Sequence, residues 1–196
     1  MKLLLTLLAP LSFINETILR IGRGIGAVAI ACMVLAILIQ VFFRYVLGNA
    51  LPWPDEAARF CMLWMTGLMA PTAFRRGGFV AIDMLIRALP RTVGSMINLL
   101  LLCLSFLVLF VAVKIGWSEI TGIGGRFTTA SLYVPTSIDF SEWYRVPRSW
   151  MMTSLFVGVV LLLSVNIELV IRTLITLLGG EDHLPAIEGA EHGGSE

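Results

Sequence analysis

Charge is scarce in this chain. Of its 196 residues only 14% are Asp, Glu, Lys or Arg, 58% are hydrophobic, and the mean hydropathy is +0.90. A soluble globular domain carries about 25% charged residues. The apolar residues come in long runs without amphipathic spacing, so the chain reads as an integral membrane protein. Histidine is scarcer still. His183 and His192 both lie near the C-terminus, so no apolar run can supply the paired histidines of a bundle haem. The three cysteines, Cys32, Cys61 and Cys103, sit in apolar runs with no CxxC spacing. That argues against a disulfide framework or a zinc site and leaves them as small packing residues. No phosphate-binding glycine motif, zincin motif or nucleophile elbow occurs, and Ser and Thr in the apolar runs have no basic partner. The reading is no enzyme, no cofactor and no metal. The absence of a basic patch with interleaved aromatics argues against nucleic acid. The absence of charge from the central portions of the apolar runs argues against a solitary pump or channel.

The residues present predict an all-α fold: a four-helix membrane bundle with an N-terminal and an internal amphipathic helix at the interface. The opening MKLLLTLLAPL imitates a signal peptide, but Pro10 interrupts it and no small-x-small cleavage site follows. From Ser12 the spacing turns helical. Ile14, Ile18, Ile21 and Ile25 share one face, and Glu16, Arg20 and Arg23 share the other. Residues 1–23 are therefore read as an interfacial segment leading into the bundle, with simple extension of the first span as the alternative. The bundle is placed at 24–178, with spans at about 24–46, 54–76, 92–117 and 148–178. An interfacial helix at 79–89, an outer loop at 118–147 and a disordered acidic tail at 179–196 complete the layout.

The second span is the informative one. Its charge-free run, Phe60 to Phe74, is too short to cross a hydrocarbon core of about 30 Å. The helix must start near Pro54, which puts Asp55 and Glu56 in the first turn, where the helix dipole favours acids. Arg59 then falls at the hydrocarbon edge, where it needs a carboxylate partner or must snorkel. The expectation is a polar lock: Arg44 at the end of span 1 meets Glu56, with Asp55 and Arg59 completing the cluster. Trp53 is read as an interface residue and Trp64 as a packing residue between helices or against a partner. Glu168 and Arg172 form an i,i+4 pair near the end of the span-4 helix, which continues past them to Leu178. Lys2, Arg20, Arg23, Arg75, Arg76, Arg87, Arg91 and Arg172 would lie inside if the N-terminus is cytoplasmic. Arg44, Arg59, Lys114, Arg126, Arg145 and Arg148 would lie outside.

In this ordered set the chain resembles the small, Q-type permease subunit of tripartite ATP-independent periplasmic (TRAP) transporters. Arg44-Tyr45, Trp53, Glu56, Arg59, Trp64, Arg75-Arg76-Gly77 and Ile82-Asp83 follow the family's pattern over roughly forty residues. Phe79 stands where the family often has a histidine, Met69 where it usually has a glycine, and the connection before span 4 is longer than typical. The resemblance implies a scaffold subunit in the bacterial inner membrane, with both termini cytoplasmic. It implies two protein partners: a large multi-span subunit that carries the substrate and sodium sites, and a periplasmic binding protein that delivers an organic anion. Arg44, Tyr45, Trp53, Asp55, Glu56, Arg59, Trp64, Arg75, Arg76 and Asp83 become structural or assembly residues on this reading. A membrane-anchor subunit of a redox complex is the alternative.

Overall fold

The structure, a computed structural model, describes residues 2–77, 90–135, 143–180, 184, 185 and 187. The described residues form α1 (Lys2–Tyr45), α2 (Trp53–Arg75), α3 (Arg91–Thr121), α4 (Ile123–Arg126), β1 (Thr128–Pro135), β2 (Trp143–Pro147) and α5 (Arg148–Leu177). The fold is mostly helical. The expected interfacial helix at 79–89, with Asp83, lies outside the described residues, as do His183 and His192.

Among the described residues three helices are long and apolar enough to cross a membrane: Leu4–Tyr45, Val93–Thr121 and Arg148–Leu177. Their most apolar windows are only 11%, 6% and 28% buried. Apolar surface left uncovered on this scale needs lipid or protein around it, and α5 is the most enclosed of the three. α2 is not among them, because Asp55, Glu56, Arg59 and Arg75 leave it a short charge-free core.

The N-terminal segment and span 1 belong to one helix. α1 runs unbroken through Pro10 for 44 residues, about 66 Å at 1.5 Å per residue. Its isoleucine face is exposed at Ile14, Ile18, Ile21 and Ile25, while Leu8, Asn15 and Leu19 are buried. The connection expected as an outer loop, 118–147, contains regular structure. α3 extends to Thr121, a single turn follows, and Thr128–Pro135 pairs antiparallel with Trp143–Pro147 as a hairpin.

The chain packs as two compact units. The first comprises Met1–Ile21, Ala70–Ala112 and Val159–Glu196. In it α5 meets α1 through Asn15 and Ser164, α2 through Arg75 and Glu168, and α3 through Asn98 and Thr173. Gly179, at φ 76°, ends α5 in the left-handed conformation that glycine adopts without strain. The following amide, on Gly180, closes back on the Ile175 carbonyl at 3.0 Å. The second unit comprises Gly22–Met69 and Val113–Gly158. There α1 packs on α2 where Gly22 meets Leu68 and Gly26 meets Met69. α2 meets α5 at Gly67 and Gly158, and α3 meets α5 at Gly116 and Phe156.

Candidate functional site

A buried polar cluster in the first unit ties α1, α2 and α5 together. Glu168, on α5, is fully buried. Its Oε2 accepts from Asn15 Nδ2 at 2.8 Å and from Arg75 Nε at 3.1 Å. Its Oε1 accepts from Arg75 Nη2 at 3.0 Å and Arg172 Nε at 3.1 Å. Arg75 Nη1 also donates to Glu16. The Ser12 hydroxyl accepts from Nη2 of both Arg75 and Arg172, each at 3.2 Å. Asn15 Oδ1 accepts from the Ser164 hydroxyl at 2.7 Å. Beyond α5, the Pro185 carbonyl accepts from Arg172 Nη1 at 2.7 Å.

The chemistry of the cluster is that of a clasp. A carboxylate has about four lone-pair sites, and Glu168 has four donors on it. It has no lone pair left for a cation or a transferring proton. Two guanidiniums, of Arg75 and Arg172, face two carboxylates, of Glu16 and Glu168, so the charges balance. Arg20 adds a looser contact to Glu16 at 3.8 Å. Buried ions persist only when paired and hydrogen-bonded, and the rule is strictest where lipid surrounds a helix.

In the second unit Glu56 performs a different task. The β1–β2 register shifts between Thr128 and Tyr133, so β1 carries more residues there than β2 opposes. Amides in such a bulge lose their cross-strand acceptors. Glu56, in the first turn of α2, supplies them: Oε1 accepts from Ala130 N at 2.8 Å and Oε2 from Ser131 N at 2.5 Å. The Ser131 hydroxyl lies 2.6 Å from Oε2 and 2.8 Å from the Pro52 carbonyl. Arg145 Nη2 donates to the Ala130 carbonyl at 2.6 Å and its guanidinium lies 5.3 Å from the Tyr133 ring centre. The hairpin and the start of α2 thereby enclose an aromatic-walled cavity lined by Trp53, Ser131, Leu132, Tyr133 and Trp143.

The expected lock is not the one that forms. Glu56 binds backbone amides of β1, and among the described ion pairs none joins it to Arg44 or Arg59. Arg44 instead lies 5.7 Å from the ring centre of Tyr45, and both residues are exposed. Asp55 and Arg59 are exposed on α2. Trp64 packs on Phe60 with ring centres 6.3 Å apart, and its buried indole N–H has no acceptor among the described residues. Arg76 is exposed beside the buried Arg75.

Residues 33–176 match the model of one family, described as tripartite ATP-independent periplasmic transporters, DctQ component. The chain belongs to that family. It is thus a small membrane component of a TRAP transporter, and a family of transporter components is generally not enzymatic. No curated protein and no solved structure matches the chain.

Within this TRAP component, sequence reasoning missed the partners of Arg75 and Glu56. The signal for the first was present: Glu168 and Arg172 interrupt an apolar helix, and a charge there requires a partner. The signal for the second was the β-branched and aromatic content of Thr128, Thr129, Tyr133, Val134, Trp143, Tyr144 and Val146. For Glu56→Ala we expect the β1 amides of Ala130 and Ser131 to exchange hydrogen faster, by an amount matching a loss of about 1.5–3 kcal/mol for bonds to a charged acceptor. Glu56→Gln keeps one acceptor and should fall between. Unchanged exchange in Glu56→Ala would show that the carboxylate does not hold the hairpin.

Proposed function

We propose that this TRAP component braces the large transport subunit of a sodium-driven importer for an organic anion, a carboxylate or sulfonate. On this reading α2 is a fourth span, so that all four long helices form a membrane bundle with both termini cytoplasmic in the bacterial inner membrane. The hairpin side helps to dock the periplasmic binding protein, whose delivered substrate passes to the large subunit. Sodium binds there too. Arg44, Tyr45, Trp53, Asp55, Arg59, Trp64, Arg76 and Asp83 serve assembly.

The observation that carries this reading is the saturated clasp around Glu168. Its ions neutralise each other and leave no lone pair for a travelling ion, which suits a static support and not a conductor. The redox-anchor alternative gains nothing from the family match.

The test is affinity purification of the tagged chain from its native membrane, solubilised in mild detergent. A large multi-span membrane protein should copurify, and sodium-dependent uptake by reconstituted vesicles should require both chains. Recovery of a flavin or iron–sulfur subunit in its place would overturn the proposal, as would uptake by the large chain alone at full rate.

A further inference from the structure

The first unit contains a second feature that the clasp does not use. A cavity of about 420 Å³ opens beside it, between the end of α2, the first half of α3 and the last turns of α5. Its wall is divided in character. Leu101, Leu102, Leu104, Leu169 and Phe74 make it apolar, while Arg75 and Arg172 bring cations to it. No carboxylate lines it among the described residues. The acids that neutralise the arginines, Glu168 and Glu16, belong to the clasp and not to the wall.

Hydrogen-bond donors remain unspent on this wall. The hydroxyls of Ser95 and Ser105 have no hydrogen-bond partner among the described residues. The Asn98 amide uses one hydrogen on Thr173 Oγ1, at 3.2 Å, and retains another. Neutral donors beside two guanidiniums whose charge the clasp already balances favour a group whose oxygens accept several bonds at once, as those of a phosphate ester do. Leucines on the same wall favour an alkyl chain. The surrounding helices α3 and α5 are long and apolar enough to cross a membrane, so the amphiphile at hand is a lipid.

We propose that this cavity is a phospholipid site, with the phosphate ester received by Ser95 and Asn98, one turn apart on α3, and an acyl chain laid along the leucines of α3 past Ser105. The site rests on the membrane reading of α3 and α5 but not on the bracing role, so it can hold or fail independently of that role.

The experiment uses the full chain purified in detergent and three probes: phosphatidylglycerol, diacylglycerol with the same acyl chains, and inorganic phosphate. Native mass spectrometry should show phosphatidylglycerol retained roughly tenfold better than diacylglycerol, the scale of one hydrogen bond to a charged group. Inorganic phosphate should leave the melting temperature unchanged, and phosphatidylglycerol should raise it. Ser105→Phe, which fills the acyl-chain end of the cavity without touching the clasp, should lower the retention of both lipids. Ser95→Ala should reduce the preference for phosphatidylglycerol over diacylglycerol, and both variants should keep the wild-type melting temperature in lipid-free detergent. Equal retention of the two lipids would overturn the proposal, as would retention indifferent to Ser105→Phe in a folded variant. Stabilisation by inorganic phosphate equal to that by phosphatidylglycerol would also overturn it, making the ligand a free anion.

Discussion

Glu168→Ala should all but eliminate the folded chain from the membrane. The substitution removes five accepted hydrogen bonds, from four donor atoms, and leaves Arg75 and Arg172 buried with only Glu16 to balance them. Breaking a buried ion pair from one side costs about 3–5 kcal/mol, because the surviving charge keeps its desolvation penalty and loses its compensation. That is a large share of a total stability of about 5–15 kcal/mol. Glu168→Gln should be less damaging, since it keeps the shape and some acceptors but not the charge. The informative variant is the double change Glu168→Leu with Arg75→Met. It leaves one cation, Arg172, and one carboxylate, Glu16, so the count balances again and the helix contact becomes apolar. Replacing a buried pair together is often neutral, so the double variant should recover most of what Glu168→Ala loses. The measurement is the amount of monodisperse chain after detergent extraction and its loss on heating. Wild-type accumulation of Glu168→Ala would sink the clasp, and so would additive losses from Glu168→Leu and Arg75→Met in a double-mutant cycle.

This result bears on what could be read in advance. The apolar helices were legible from hydropathy alone, because composition over many residues fixes that signal. Pairings were legible only along one helix. Glu16–Arg20 and Glu168–Arg172 follow from the i,i+4 spacing, and both are present. Partners from separate helices follow from packing, which spacing does not encode. Glu56 shows how this misleads: Arg44 was near in sequence and of opposite sign, yet two backbone amides with no cross-strand acceptor gave the carboxylate a better-defined partner. Arg75 shows the same in reverse. As an exit cation it looked like an orientation signal, but its guanidinium turns inward to a carboxylate 93 residues away. The hairpin was hidden because its strand-favouring residues are interrupted by a shifted register and by the stretch 136–142, so no clean alternation appears.

Gly158→Leu is the other change expected to be severe, and it acts through backbone shape alone. In the second unit α2 and α5 touch at Gly67, Ser154 and Gly158 with no side chain between them. A Cβ on Gly158 would stand 2.7 Å from the Gly67 Cα and 2.8 Å from the Gly67 carbonyl oxygen. A Cβ on Gly67 would run into the Ser154 carbonyl. Backbone atoms inside a helix cannot swing aside as a side chain does. The contact has a cause in the sequence: Pro71 has no N–H to give the carbonyl four residues before it, which is that of Gly67. Close approach of Gly158 lets a Cα–H face that oxygen, a weak bond available only where both residues are small. Even Gly158→Ala should therefore cost about 1–3 kcal/mol by overpacking, and Gly158→Leu should prevent the two helices from meeting. Two glycines on α1 supply the contrast. A Cβ on Gly26 would meet only the flexible Met69 side chain, and one on Gly24 would meet nothing within 4 Å. Gly24→Ala should then stay within about 0.5 kcal/mol of wild type, as exposed substitutions do, and Gly26→Ala should fall between it and Gly158→Ala, because the Met69 side chain must shift from a Cβ 2.8 Å from its Cγ. Thermal stability in detergent, measured on all four variants side by side, tests the order. If Gly158→Ala melts with Gly24→Ala, the helices do not touch through their backbones, and Gly67 and Gly158 are spacers like any other.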